Sequence, residues 1–184
     1  MYRKLVMGVQ EQEAAGVAVR AVTDMGASDR AAFDATMHPE AVNREAHAEP
    51  PNCRGVGPEA FWASALWLRG AFPDLRHEPH VAVVDGEFVV VHATMSGTHR
   101  GPFVVYDAAG RVEQVFAPTG NSFAVTQTHW FRMRDGLCAE HWANRDDLGM
   151  GQQLGWFPPS PRYLWQCARA KRAARRAESG SRTL

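Results

Sequence analysis

The residues best suited to chemistry in this chain of 184 residues fall in two neighbouring segments. Residues 127–131 read Gln-Thr-His-Trp-Phe, and residues 140–149 follow after the turn-forming pair Asp135-Gly136. If both segments are β-strands, a tight hairpin joins them and sets amides, imidazoles and carboxylates side by side on one sheet. Proton-moving side chains flanked by large aromatic rings are typical of a small-molecule pocket rather than of a plain hydrophobic core.

The two histidines of these segments are the first catalytic candidates. Side chains alternate along a strand, so Gln127 and His129 share a face, as do His141 and Ala143 on the next strand. Counting from the hairpin turn, we expect His129 and His141 to be direct cross-strand neighbours. Two imidazoles that close discourage double protonation, which leaves a neutral base near pH 7. The alternative is that both rings bond to backbone or solvent.

A carboxylate is the third catalytic candidate. Asp146 and Asp147 come where the second strand should end, and one of them can cap the following helix. We assign the cap to Asp147 and predict that Asp146 faces the pocket, where apolar surroundings would raise its pKa into the range useful for an acid. Arg145 beside them can instead form an ordinary salt bridge.

Several amides and rings are predicted to contact a ligand. These are Asn43, Gln127, Asn144, Trp62, His92, Phe116 and Trp142. Asn43 can equally lie on the surface of an edge strand, and His92, inside a valine-rich strand, can be a satisfied core histidine. Aromatic rings on the pocket wall would suit a planar substrate.

Composition excludes several classes of function. Lys plus Arg equals Asp plus Glu at 20 each, which gives no reason to expect a nucleic-acid partner. The three cysteines contain no CxxC pair and the histidines no HExxH pattern, so we predict no metal site and reduced thiols in a cytoplasmic protein. No apolar run is long enough to cross a membrane, and the first residues do not form a signal peptide.

The surrounding pattern predicts an α+β fold. Helical spacing marks residues 10–26 and 30–37 and the segment that opens at Gly57-Pro58. Strands are expected at 42–47, 81–84, 88–91, 121–133 and 137–145, with an inserted hairpin within 101–120. Three N-terminal helices would cover a curved antiparallel sheet, giving a cone-shaped α+β barrel with an internal pocket. We place this domain at 1–157 and a basic helix or tail at 158–184.

Several motifs in this order resemble those of the SnoaL-like polyketide (ester) cyclases, within the nuclear-transport-factor-2-like superfamily. They are AFPDL at 71–75, GTHRGPF at 97–103, PTG at 118–120, QTHWFR at 127–132 and EHWANRDDLGMGQQLG at 140–155. The resemblance spans roughly residues 10–157. It implies intramolecular aldol ring closure of a polyketide ester without a cofactor, with a carboxylate as acid or base, and a homodimer formed through the outer sheet face.

Only some of the family's functional residues have a counterpart at the matching positions of this sequence. The family's Gln-x-His pair falls on Gln127 and His129, and its first-strand Asn falls on Asn43. The family's acid/base Asp, however, falls on Ala143, which cannot take a proton. Either Asp146 or His141 replaces it, or the chemistry differs.

The sequence therefore predicts a cofactor-independent cyclase or isomerase-type enzyme of secondary metabolism that enolises a polyketide-like carbonyl substrate. His129 would act with Asp146 or His141, while Gln127 and Asn43 hold the enolate oxygen. A hydrolase or dehydratase is one alternative, with a water held by Asp146, Gln127 and Asn144. A non-catalytic module that binds a hydrophobic small molecule is another. Whether residues 101–118 form a lid stays open.

Overall fold

A computed structural model describes residues 8–181. The helices are α1 (Val9–Thr23), α2 (Arg30–Asp34), α3 (Pro58–Ala71), α4 (Asp147–Gln153) and α5 (Pro161–Ser181). The strands are β1 (Met37–Asn43), β2 (Arg76–Asp85), β3 (Phe88–Thr98), β4 (Phe103–Tyr106), β5 (Val112–Phe116), β6 (Ser122–Arg134) and β7 (Leu137–Arg145). Short 3₁₀ turns cover Asp24–Gly26, Ala46–Ala48 and Pro51–Cys53. In this part of the chain, no helix combines the length and apolarity that a membrane crossing requires.

The predicted α+β fold is confirmed. Five strands form one curved sheet in the order β1-β7-β6-β3-β2, antiparallel except for the parallel pair β1–β7. Because β1 and β2 are edge strands, the sheet is open and does not close into a complete barrel. Small residues of α1, such as Ala18 and Ala21, let that helix approach the sheet, and Phe33 and Phe61 from α2 and α3 complete the same core.

The first strand begins earlier than predicted. It runs over Met37–Asn43, whereas the sequence pattern gave a strand over residues 42–47 and a helix as far as residue 37. The presence of Pro39 favoured a break in regular structure. Proline is tolerated here because β1 is an edge strand, where a missing N–H need not cost a ladder bond.

The hairpin between β6 and β7 has the predicted turn but a different register. Asp135 and Gly136 both take positive φ values, of 52° and 77°, as a type I′ turn requires. A β-bulge between the pairs Met133↔Cys138 and Arg132↔Glu140 then adds one residue to β7. The two-residue turn alone would set His129 opposite Trp142, and the bulge shifts the partner to Ala143, which puts His141 on the same sheet face as His129. The predicted direct pairing of the two histidines is therefore wrong.

A second hydrophobic cluster closes one end of the molecule. The inserted hairpin is confirmed as the separate two-stranded sheet β4–β5, and α5 packs against β5. The Tyr163 hydroxyl of α5 donates to the Ala117 carbonyl at 3.1 Å, and the Arg175 guanidinium donates to the Val112 carbonyl. The C-terminal helix is thereby joined to the hairpin that precedes β6.

Candidate functional site

A cavity of about 340 Å³ lies between the concave sheet face, α3 and the β4–β5 hairpin. Its volume falls within the usual range for small-molecule sites. One wall is flat and aromatic, because the ring of Trp156 stacks on Phe116 at 4.2 Å and on Phe103 at 5.4 Å between centroids. The opposite wall carries polar groups from β1, β6 and β7. This division suits a planar apolar ligand with a few polar atoms at one side.

Three side chains on the polar wall form a continuous hydrogen-bonded relay. Asn43 Oδ1 lies 3.1 Å from His141 Nδ1, and His141 Nε2 lies 3.1 Å from His129 Nδ1. In the register that the bulge sets, the two histidines are diagonal neighbours on one sheet face, and their ring nitrogens meet. The far nitrogen of His129, Nε2, is buried and has no hydrogen-bond partner within residues 8–181.

The relay fixes which nitrogens carry protons. Asn43 Oδ1 also accepts the backbone N–H of Glu45 at 3.1 Å, which identifies that amide atom as the oxygen. An oxygen only accepts, so His141 Nδ1 is the donor and its Nε2 is bare. His129 must then donate through Nδ1, which leaves a lone pair on Nε2. A free lone pair on the wall of a cavity is what a general base requires.

Burial keeps both relay rings neutral. It lowers the pKa of His141 from 6.5 to about 3, with smaller contributions from Arg145 and His77. The pKa of His129 is lowered well below 6.5 by burial, then by His141, His77 and Arg145. The neutral tautomers deduced from the hydrogen bonds are therefore the species present near pH 7.

A third histidine at the cavity was missed by the sequence analysis. His77 of β2 packs its ring edge-on against His129, with centroids 5.8 Å apart. Its Nδ1 is buried and has no hydrogen-bond partner among the described residues. Burial lowers its pKa to about 4. Extending the β2–β3 hairpin back past Val81 would have found it, since His77 pairs with the inward-facing Met95.

The structure brings together part of the predicted ligand-contacting set. Asn43, Gln127 and Phe116 line the same cavity as His129 and His141. Gln127 is 4% exposed, and its amide nitrogen lies 2.9 Å from the Met95 sulfur, a weak acceptor. Asn43, however, has its oxygen occupied by His141 and Glu45, so it orients the relay.

Four other residues of that set lie away from the cavity. His92 is on the outer sheet face, where Nδ1 contacts the Thr128 hydroxyl at 3.0 Å. Trp142 stacks on Trp130 on the same outer face, and Asn144, paired with Thr128, is exposed there. Trp62 of α3 lies away from the cavity, where its ring contacts Phe33 and the Arg69 guanidinium. The predicted contact of these four side chains with a ligand in the cavity is wrong.

Asp146 also lies outside the cavity. It is the exposed N-cap of α4, where its carboxylate accepts the Gly149 N–H at 2.8 Å. Asp147, which we had assigned as the cap, instead lies in the first turn of the helix, lines the cavity and pairs with Arg145 at 3.5 Å. The expected water site of a hydrolase, built from Asp146, Gln127 and Asn144, is therefore not assembled.

Other charged groups do reach the cavity. Arg145 also pairs with Glu45 at 3.5 Å, and Glu49 lies against Ser64 in a more buried position. The imidazoles and carboxyl groups on the wall disfavour a purely binding role. Across residues 8–181, no cluster of three or more metal-ligating side chains is arranged to hold an ion.

Comparison with known proteins identifies relatives of the whole domain. The family model described as SnoaL-like polyketide cyclase matches residues 16–154. The chain is 32% identical over 126 residues to aklanonic acid methyl ester cyclase DnrD of Streptomyces peucetius, covering 68% of this chain and 79% of that protein. It is also 32% identical over 129 residues to DauD of Streptomyces sp. strain C5, with the same description, covering 70% and 73%.

Solved structures agree on the fold. TsrD of Streptomyces laurentii superposes with a TM-score of 0.60 at 25% identity, covering 82% of this chain and 98% of that one. The matched region of the family, residues 16–154, contains all seven strands and ends before α5.

Proposed function

Since the chain belongs to the SnoaL-like polyketide cyclase family, we propose that it closes a ring in a polyketide-like substrate by cofactor-independent intramolecular aldol condensation, as a lyase or isomerase-type enzyme of antibiotic biosynthesis. The observation that carries this proposal is the bare Nε2 of His129, buried on the cavity wall and held in one tautomer by His141 and Asn43. It supplies a base where the family's aspartate falls on Ala143.

The substrate class follows from the cavity and from the relatives. DnrD and DauD are described as cyclases of aklanonic acid methyl ester. The flat wall of Phe103, Phe116 and Trp156 favours an aromatic polyketide ester, whose fused rings would stack there. A carbonyl and its acidic neighbouring C–H would then face the histidines.

In the first step, His129 Nε2 takes the proton from the carbon next to a substrate carbonyl. Protonated His129 keeps its Nδ1–H bond to His141, and the new enolate offsets the cost of a buried imidazolium. The lowered pKa makes His129 a weaker base than a free histidine, but one that is always unprotonated at neutral pH. Proton transfer by such a positioned group contributes typically about 10²–10⁴ in rate.

The enolate oxygen needs hydrogen-bond donors. The Gln127 amide N–H₂ is buried and now satisfied only by the Met95 thioether, so it can exchange that weak acceptor for an anionic oxygen at little cost. His77 offers a second ring nitrogen, Nδ1, that has no hydrogen-bond partner in the part of the chain that the structure describes. The enolate carbon then attacks a second carbonyl carbon of the same substrate and closes the ring.

Assembly and location are part of the same proposal. We infer a homodimer through the outer sheet face, where Trp130 and Trp142 stack with ring centroids 6.2 Å apart and Phe88 packs edge-on against Trp142. We also infer a cytoplasmic protein, since Cys53, Cys138 and Cys167 are all buried free thiols, as a reducing compartment favours.

The proposal is tested with aklanonic acid methyl ester as the probe. Wild-type protein in D₂O is expected to exchange the proton of the carbon next to the carbonyl and to form the cyclised isomer, both followed by NMR and mass spectrometry. His129→Ala should lower both rates by about 10²–10⁴. The matched control is His80→Ala, because His80 is an exposed histidine of β2 whose Nε2 bonds to Thr94.

Two results would contradict the proposal. One is a wild-type protein that neither exchanges the proton nor cyclises the probe. The other is a His129→Ala variant that is folded, by its circular dichroism and melting temperature, and keeps both rates.

A further inference from the structure

A buried carboxyl group lies on the cavity wall outside the histidine relay. Glu49 follows the 3₁₀ turn Ala46–Ala48 and is only 6% exposed. Its Oε2 accepts a hydrogen bond from the hydroxyl of Ser64 on α3, and both residues line the cavity. Glutamate is seldom buried to this extent unless a cation is paired with it.

Glu49 differs in this respect from the other carboxyl groups described on the wall. Glu45 and Asp147 each form an ion pair with the Arg145 guanidinium at 3.5 Å. No Lys, Arg or His within residues 8–181 forms such an ion pair with Glu49. Burial raises the pKa of Glu49, while the Ser64 hydroxyl, Arg145 and the Cys53 thiol lower it in part. The neutral acid is therefore favoured to a higher pH than for an ordinary glutamate.

Helix α3 sets the spacing between this acid and the relay. Phe61 and Ser64, three residues apart, both point into the cavity. The Phe61 ring lies 6.3 Å from the ring of His141, whereas Ser64 holds Glu49. Three residues of helix rise by about 4.5 Å. The acid and the relay thus both contact the same cavity beside α3.

We propose that Glu49, as a neutral acid, donates a proton to the carbonyl oxygen that becomes the hydroxyl group of the new ring. This inference rests on the proposed function and adds the acid to it. His129 Nε2 takes the C–H proton, the enolate carbon bonds to the second carbonyl carbon, and the electron pair of that C=O moves to its oxygen. That oxygen takes the Glu49 proton. One proton passing through water from His129 to Glu49 restores both groups, so the product is an isomer of the substrate.

The test separates enolisation from ring closure. With aklanonic acid methyl ester in D₂O, Glu49→Gln is expected to keep the exchange rate and KM, since His129 alone removes the proton. Its rate of cyclisation should fall by about 10²–10⁴. Glu59→Gln is the matched control, because Glu59 lies on α3 with its side chain 82% exposed and pairs only with Arg30 among the described ion pairs.

A second variant, Ser64→Ala, tests the acid role of Glu49 through a pH profile that a merely structural role of Glu49 would not change. The alkaline limb of the cyclisation rate against pH should report loss of the Glu49 proton. Ser64→Ala removes a hydrogen bond that lowers the pKa of Glu49, so this limb should move to higher pH. In wild-type protein, infrared difference spectroscopy against Glu49→Gln should detect the carboxylic-acid band of Glu49 at a higher pH than that at which an ordinary glutamate keeps its proton.

The outcomes are distinguishable. If wild-type protein shows neither proton exchange nor cyclisation, the proposed function is overturned, and the role of Glu49 falls with it. Wild-type protein that cyclises, together with Glu49→Gln that cyclises equally fast, overturns the role of Glu49 alone. If Glu49→Gln does not fold, an unmoved alkaline limb in Ser64→Ala or a missing carboxylic-acid band overturns it instead.

Discussion

The Nδ1 atom of His141 lies 3.1 Å from Oδ1 of Asn43, although 98 residues separate them in the chain. The parallel pairing of β1 with β7 makes this contact, since Asn43 at the end of β1 is the register partner of His141 in the middle of β7. The edge strand therefore supplies the acceptor that sets the tautomer of two histidines.

Asn43→Ala should lower kcat much more than it changes KM. Without the acceptor, His141 and then His129 can take the wrong tautomer. Comparable losses of tautomer control lower kcat by a factor of up to about 10⁴. Asn43→Asp should restore most of the activity, because its carboxylate accepts the same bond. It should also raise the pKa of His141 and shift the acidic limb of the kcat/KM profile to higher pH. Asn52→Ala, at an exposed position of the 3₁₀ turn Pro51–Cys53, is the control.

Ala143→Asp should raise the pKa of His129. Ala143 lines the cavity directly opposite His129, at a cross-strand distance of about 4.5–5.5 Å between Cβ atoms. A carboxylate there would stabilise the imidazolium by about one to three pKa units. NMR titration of the ring carbons measures this, with Ala124→Asp on the outer face of β6 as the control. An unchanged titration of His129 would mean that the two side chains do not face each other.

The face of each strand was predictable only where alternation was unambiguous. In β6, Gln127 and His129 point inward with the buried Phe131, as the period of two requires. The same rule excludes His141 and Trp142 as joint pocket residues, because strand neighbours point to opposite faces, and Trp142 indeed faces outward. In β3 both faces carry valines, so the pattern alone did not orient His92.

Other features of the structure have no signal in the local sequence that would predict them. The bulge near Cys138 and Ala139 shifts the register of β7 by one residue, yet neither residue type marks it. Glu49 lies in a loop rich in proline and glycine, where no periodicity predicts burial. Asp146 and Asp147 are equally good caps by residue type, and the course of the chain after β7 decides between them.

The C-terminal helix should stabilise the domain through Tyr163. Its hydroxyl donates to the Ala117 carbonyl at 3.1 Å in a buried position, and burial raises the pKa of the phenol. Tyr163→Phe leaves that carbonyl unsatisfied and should lower the free energy of unfolding by about 1–3 kcal/mol. Chemical denaturation measures the change. Arg162→Ala, at an exposed position of the same helix turn, should have a much smaller effect.

Stability should fall as the pH drops below about 6.5, where an unfolded histidine begins to bind a proton. His77 and His141 have pKa values of about 4 and 3 in the folded protein, and that of His129 is also well below 6.5. Between pH 6.5 and these values the unfolded chain binds more protons, so each buried ring contributes a slope of about 1.4 kcal/mol per pH unit. The share of the loss that comes from His77 and His141 is complete once the pH falls through about 3, the folded-state pKa of His141. His77→Phe should flatten the slope between pH 6 and 4 in urea titrations, whereas His80→Phe, at an exposed position of the same strand, should leave it unchanged. Equal slopes in wild type and His77→Phe would show that His77 can take up a proton in the folded state.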